Sequence, residues 1–267
     1  MHKLKSVALI TGASSGIGAA FARVFAADRH DLVLTARSTD RLEALANELR
    51  AQHGSEVVVL PADLAEPGSV NELLASLKQR GIEVDYLINN AGFGNYGDFA
   101  EHEPATELEQ IAVNVTALTA LTRGCLPGML ARKHGRILNV ASTAAFQPCP
   151  WLAVYAATKA YVLSFSEALA VELKGTGVSV TCLCPGPTES NFGQRSGFKM
   201  LSAIKDRIPS AQAVAEYGYK ALFARETVAV HGIANRLLTA THRLAPRNLV
   251  ANISGRMLAT GRAKTED

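Results

Sequence analysis

A chain of 267 residues, 48% hydrophobic and 19% charged, is long enough to bury a full core, which excludes a disordered or fibrous polymer. A formal charge of +3 is too small to argue by itself for nucleic acid as a partner. The four cysteines (Cys125, Cys149, Cys182, Cys184) lack the spacing of a zinc site, and a core of this size needs no disulfide staples, so no metal and a reducing, cytoplasmic setting are expected.

Strand and helix patterns alternate from the start. The basic opening MHKLK has no signal-peptide pattern and runs straight into SVALIT, a strand candidate. AAFARVFAAD reads as a helix, DLVLTA as a second strand, DRLEALANELRAQ as an amphipathic helix and EVVVLPAD as a third strand. SVNELLASLKQR is helical, VDYLINNA is a fourth strand, and ATELEQIAVNVTALTALTRGCLPGML is one long helix. GRILNVAS, a fifth strand, leads into the long helix AVYAATKAYVLSFSEALAVELK, and VSVTCLCPG is a sixth strand. Such alternation implies parallel strands joined by helical crossovers, and short Val/Ile/Leu-rich strands suit a sheet covered on both faces. The predicted fold class is therefore α/β: a Rossmann-like, doubly wound parallel sheet in a single domain over residues 1–267. No apolar run approaches the roughly 18 residues that a membrane span needs.

After Pro187 the pattern breaks. TESNFGQRSGFKM is polar and glycine-containing, and it follows the C-terminal end of a strand, where such sheets bind ligands. Residues 189–208 are therefore expected to form a mobile substrate lid. Phe192, Phe198, Met200 and Leu201 in it suggest an apolar substrate wall, or simply pack the lid, and Phe146 and Trp151 share that ambiguity. Helices are expected near Ala211–Arg225 and Ile233–Leu244. The segment 233–267 holds Arg236, Arg243, Arg247, Arg256, Arg262 and Lys264, with no acid before Glu266. It reads either as a solvated basic face or as a contact for an acidic partner: a thioester cofactor's phosphates, a carrier protein or a lipid surface.

Chemistry concentrates at strand ends. TGASSGIG, Thr11 to Gly18, joins the first strand to the first helix. Gly12, Gly16 and Gly18 permit a tight turn and let backbone approach a pyrophosphate, while the helix N-terminus favours the anion. At the end of the second strand, Ala36 stands where an acid would bind a ribose hydroxyl, and Arg37 follows at once. An arginine suits a 2′-phosphate, so NADP(H) is favoured over NAD(H). Arg41 is either a helper or an ordinary surface charge, and Asp40 lies too far along to bind the ribose. Tyr155 and Lys159, four apart on a helix, share a face, whereas Tyr161 looks elsewhere.

With TGASSGIG, Asp63-Leu64, NNAG (Asn89 to Gly92), Asn114, Ser142, YAATK and PGPT (Pro185 to Thr188) in order, the chain resembles a short-chain dehydrogenase/reductase over most of residues 6–190. The resemblance implies that Tyr155 is the catalytic acid/base. A free phenol has a pKa of about 10, and the Lys159 ammonium is expected to lower it toward neutrality. Lys159 would also hold the nicotinamide ribose. Ser142 would polarise the substrate carbonyl, unless it is merely a strand-end or cap serine. Asn114, a poor helix residue in an apolar helix, would kink it and hold a water relay to Lys159, or be a core asparagine satisfied by backbone.

The same resemblance places Ser14 and Ile17 on the phosphates, Asp63 on the adenine amino group and Leu64 on its ring. Asn90, Ala91 and Gly92 would line the middle of the cofactor, and Pro185, Gly186 and Thr188 the nicotinamide. Asn89 would hold the central sheet. Ser15, within the turn, stands where many NADP-preferring members carry a basic residue. The tail lacks the short final strand of many bacterial carbonyl reductases and is closer to hydroxysteroid and long-chain ketoacyl reductase-like members.

The expected protein is thus a cytoplasmic NADP(H)-dependent oxidoreductase that interconverts a ketone and a secondary alcohol on a small, apolar substrate. No nucleic acid and no membrane span are expected. It would be a homodimer or homotetramer paired through helices at about Ala105–Leu130 and Val154–Lys174. The alternatives are a non-catalytic NADP(H)-binding regulator on the same fold, and an epimerase or dehydratase that uses bound NAD(H) internally.

Overall fold

A computed structural model describes residues 6–189, 208–241 and 246–259. Seven strands form one sheet: β1 (Val7–Thr11), β2 (Asp31–Thr35), β3 (Val57–Val59), β4 (Tyr86–Asn89), β5 (Gly135–Val140), β6 (Val178–Cys184) and β7 (Val228–Val230). Their order is β3-β2-β1-β4-β5-β6-β7, and every neighbouring pair is parallel. The chain turns back at the β1–β4 boundary, which opens a crevice at the carboxyl ends of those strands.

Successive strand residues point to opposite faces, and the core follows that alternation. Ala8 and Ile10 of β1 meet Phe21 and Phe25 of α1 (Gly16–Ala27) and Leu42, Leu45 and Leu49 of α2 (Thr39–His53). Val7 and Leu9 meet Leu73 and Leu77 of α3 (Ser69–Gln79) on the other face. With both faces covered, β1, β2 and β4 are buried along their whole length, which accounts for their unbroken apolar character. Each fully buried Phe or Leu contributes roughly 1.5–3 kcal/mol.

The stretch expected as one long helix is three pieces. Helix α4 (Pro104–Ile111) passes through a π-helical turn (Ala112–Ala117) into α5 (Leu118–Arg132). Buried Asn114 sits in that turn, where the wider i→i+5 winding is a feature frequent at functional sites. Helix α6 (Ala153–Glu172) then packs on β5 and β6. A polar chain fixes its position. Asn89 donates to Thr122 and Asn139 (3.0 and 2.9 Å), Asn139 donates to Ser166 of α6 (2.9 Å), and Ser166 donates to the Val162 carbonyl (2.7 Å).

Helices α7 (Ala211–Ala224), α8 (Ile233–Thr241) and α9 (Arg247–Ala259) complete the described chain. Strand β7 and helix α9 were not expected from the sequence. Three residues of β7 are too few to show a period, and in α9 the buried Val250 and Ser254 are interleaved with Arg, Asn and Gly. The end expected for α8 at Leu244 lies outside the described residues, as does nearly all of the lid, including Phe192, Phe198, Met200 and Leu201. Glu189 and Ser210, which flank that stretch, form an isolated parallel bridge. Among the described residues no helix is long and apolar enough to cross a membrane.

Candidate active site

The glycine turn is shaped by residues far along the chain. Gly12 and Gly16 have φ of +66° and +56°, in the left-handed region that favours glycine. A side chain on Gly18 would strike the Gly12 carbonyl and the Asn90 amide. Thr11 Oγ1 accepts from the backbone N–H groups of Asn90 and Ala91 (both 2.9 Å), and Asn90 Nδ2 donates to the Thr11 carbonyl (2.9 Å). Asn90 thus holds the turn by its side chain. Ser14 and Ser15 are half-buried, Ser15 at the N-terminus of α1, and Ile17 packs partly buried against the core. No acid stands in the first turn of α1, so the positive end of its dipole faces the crevice uncompensated. That end, the bare glycines and a nearby guanidinium fit a dinucleotide phosphate.

The guanidinium is Arg37, whose side chain is 60% exposed. Its Nη1 lies 3.3 Å from Glu109 of α4 and 3.8 Å from Asp63 beyond β3. Asp63 also accepts from the Ala65 N–H (3.1 Å), while Leu64 is buried in the core. Glu109 is a residue that the sequence did not single out. It is one more surface glutamate on a helix, 72 positions from Arg37, and no local pattern marks it.

At the other end of the crevice Ser142 and Tyr155 are half-buried and Lys159 is buried. Ser142 follows β5 and its Oγ accepts from the Ala144 N–H (3.1 Å), which caps the 3₁₀ turn Thr143–Phe146. The same hydroxyl hydrogen-bonds the Tyr155 phenol. The serine is therefore a cap whose hydroxyl also meets Tyr155. Tyr155 packs against Cys149, Leu152 and Ala156. Lys159 is 4% exposed, and its Nζ donates to the Val140 carbonyl (2.8 Å) and lies 5.7 Å from the centroid of the Tyr155 ring.

Asn114 uses its whole amide. Oδ1 accepts from the Phe93 N–H (3.1 Å), and Nδ2 donates to the Phe93 carbonyl (2.9 Å) and to Thr158 Oγ1 (3.0 Å). Thr158, also not anticipated, passes the link on to the Tyr155 carbonyl (2.8 Å). Gly92 threads between Asn114 and Lys159: a Cβ there would sit 2.8 Å from Asn114 Oδ1 and 3.3 Å from Lys159 Nζ. Pro185 accepts from the Thr143 N–H (2.9 Å), Thr188 donates to the Gly186 carbonyl (2.9 Å), and Gly186 lies against Asn235 of α8.

The expected electrostatics are corrected in one respect. Burial pushes the Tyr155 phenol up to about 12, against the lowering from the Ser142 hydrogen bond. Burial likewise lowers Lys159 to about 8, opposed by the Cys182 and Cys184 thiols beneath it. Desolvation penalises whichever form carries charge, so it overrides the attraction that the four-residue spacing suggested. The cysteines are all free, and Cys149, Cys182 and Cys184 are buried.

Tyr96 Oη donates to the Leu258 carbonyl of α9 (2.7 Å), and Leu258 packs against the cluster around Tyr155. Trp151, at φ +63°, accepts from the Gly97 N–H (3.0 Å) and donates through Nε1 to Asp98 (3.1 Å). Helix α9 thus borders the site, a placement no motif announced.

A family model described as short chain dehydrogenase matches residues 6–199. An NADP-dependent 3-hydroxy acid dehydrogenase of Salmonella typhi is 38% identical over 181 residues, 67% of this chain and 71% of that protein. A short-chain dehydrogenase from Sphingobium yanoikuyae, solved in complex with NADPH, is 31% identical with a TM-score of 0.81 and covers 98% of both chains. A bulky-bulky ketone specific alcohol dehydrogenase from Comamonas testosteroni is 27% identical with a TM-score of 0.77, over 99% of this chain and 98% of that one.

Proposed function

The chain belongs to the short-chain dehydrogenase family, and we propose that it is an NADP(H)-dependent enzyme interconverting a bulky, apolar ketone and its secondary alcohol. The observation that carries this reading is the pair of hydrogen-bonded hydroxyls, Ser142 and Tyr155, at the end of β5 with Lys159 buried behind them. A pure nucleotide sensor needs only the glycine turn, which is why the regulator reading ranks second.

Ser14, Ile17 and the N-terminus of α1 would hold the cofactor's phosphates, Asp63 and Leu64 its adenine, Asn90, Ala91 and Gly92 its middle, and Pro185, Gly186 and Thr188 its nicotinamide end. When bound, the nicotinamide supplies or accepts the hydride. The chain's own residues handle the proton. At neutral pH a phenol held near 12 is protonated, so Tyr155 Oη has a proton to offer a carbonyl oxygen that Ser142 orients. Lys159, near 8, exchanges protons at working pH and stands next in line behind the phenol. In oxidation the proton moves the other way through the same atoms.

Arg37, with Ala36 where an acid would otherwise stand, supports NADP(H) over NAD(H). The NADP dependence named for the Salmonella relative points the same way. Tyr96, Leu258 and Trp151 around the site support an apolar substrate, as does the ketone specificity named for the Comamonas enzyme. Residues 189–208 would close over it. The free cysteines support a cytoplasmic location. Exposed Leu108, Ile111, Tyr161 and Val171 on α4 and α6 support pairing of copies through those helices.

The test is NADPH oxidation, with NADH in parallel, against small diketones, 3-ketoacyl thioesters, steroids and diaryl ketones. Turnover on bulky ketones with NADPH preferred is expected. NADPH binding without turnover anywhere on the panel would turn the reading to the regulator.

A further inference from the structure

We propose that helices α8 and α9 form a docking face for an anionic lipid surface. Half of the exposed large hydrophobic residues among those described lie on these two short helices: Ile233, Leu237 and Leu238 on α8, and Leu249, Ile253 and Met257 on α9. Ile233, Leu237 and Met257 are 78%, 65% and 65% exposed. In α9 the exposed residues recur every four positions and make one stripe. The inward side of α9 is already spoken for: Val250 and Ser254 are buried, Leu258 packs beside Tyr155, and Gly255 lies against Pro150. The stripe lies on the flank of the helix, about 100° round from that inward row, and is exposed to solvent.

Charge decides what covers it. From Thr227 to Thr265 the chain has no Asp or Glu, while it holds Arg236, Arg243, Arg247, Arg256, Arg262 and Lys264. Arg247 and Arg256 stand exposed on α9 beside the stripe. A second copy docking through this same face would bring arginines against arginines with no carboxylate to answer them. The apolar residues of α4 and α6 differ, because those helices carry Glu109, Glu167 and Glu172 and no arginine. An apolar stripe flanked by arginines fits a helix lying in the headgroup region of an anionic bilayer. Helix α9 has 13 residues, about 20 Å at the usual rise, too short to span. Since its inward row borders Tyr155, docking brings the site beside the layer in which an apolar substrate dissolves.

The experiment is flotation of the full chain with vesicles of phosphatidylcholine alone and with phosphatidylglycerol added, at low and high salt. Binding is expected to the anionic vesicles only, and to fall about tenfold or more at high salt. The double variant Arg247→Glu, Arg256→Glu should bind at least 30-fold more weakly, since each arginine near such a surface strengthens association about fivefold. Leu249→Ser with Ile253→Ser should weaken it similarly with unchanged circular dichroism. No binding to anionic vesicles at low salt, equal binding to phosphatidylcholine, or full affinity in the charge-reversed variant would each overturn the proposal. So would a change in oligomer size in the serine variant without vesicle binding, which would assign the face to a second copy. None of these readouts depends on catalytic activity, so they stand or fall apart from the proposed reaction.

Discussion

At the β2 end of the crevice Arg37 is 60% exposed and shared between two carboxylates, whereas at the other end Lys159 is 4% exposed and holds a single carbonyl. Exposed ion pairs contribute about 0–1 kcal/mol, so a ligand phosphate would exchange for Glu109 at little cost. A buried ammonium keeps its place through packing, and dehydration moves its proton affinity by units. In the proposed reaction, selection of the cofactor and transfer of the proton would sit in opposite dielectric settings on one sheet.

The sharpest way to separate the two ends is Tyr155→Phe. Turnover on a ketone substrate should fall about 10³-fold while the Kd for NADPH, followed by fluorescence, stays within about twofold. A variant with ordinary turnover would erase the proton-transfer role of the Tyr155 end. Next is the pH dependence of stability. Folded Lys159 titrates near 8, below its ordinary 10.5, so between those values the unfolded chain binds more protons and stability rises with pH. Below about pH 8 the full penalty of burying the charge is present. Denaturant unfolding at pH 7.5 and 10.5 should show the wild type gaining up to about 3 kcal/mol over Lys159→Met across that interval. A constant difference would mean that the amine is not dehydrated.

Effects at the exposed end are smaller and confined to binding. Arg37→Ser should weaken NADPH by about 10–100-fold and leave NADH nearly unchanged, as expected for one charge-assisted phosphate contact. Smallest of all, Glu109→Gln should tighten NADPH by about two- to threefold by freeing the guanidinium, again without effect on NADH. If NADPH binding weakened instead, Glu109 would be orienting Arg37 rather than competing for it.

What was legible in the sequence was local. A glycine turn between a strand and a helix, an arginine at a strand end and a tyrosine four residues before a lysine are all readable within one window. What was not legible depended on tertiary neighbours. The sign of the Tyr155 shift is set by Cys149, Leu152 and Ala156 around it, which no spacing reveals. The π-helical turn at Asn114 accompanies hydrogen bonds from its amide to Phe93, 21 positions away. Strand β7 is ordered by its register with Cys182–Cys184, since three residues carry too little pattern of their own.

The Thr11 hydroxyl that accepts from Asn90 and Ala91 carries a lesson about timing. It ties the cofactor turn to residues 79 and 80 positions later. During synthesis the glycine stretch emerges early but cannot take its final shape until β4 has left the ribosome and slotted beside β1. The cradle therefore closes only after a long loop has been ordered, so it belongs to the slow, non-local part of folding. A shortened chain that ends before Ala91 would hold every glycine of the motif and still lack the mould that shapes it.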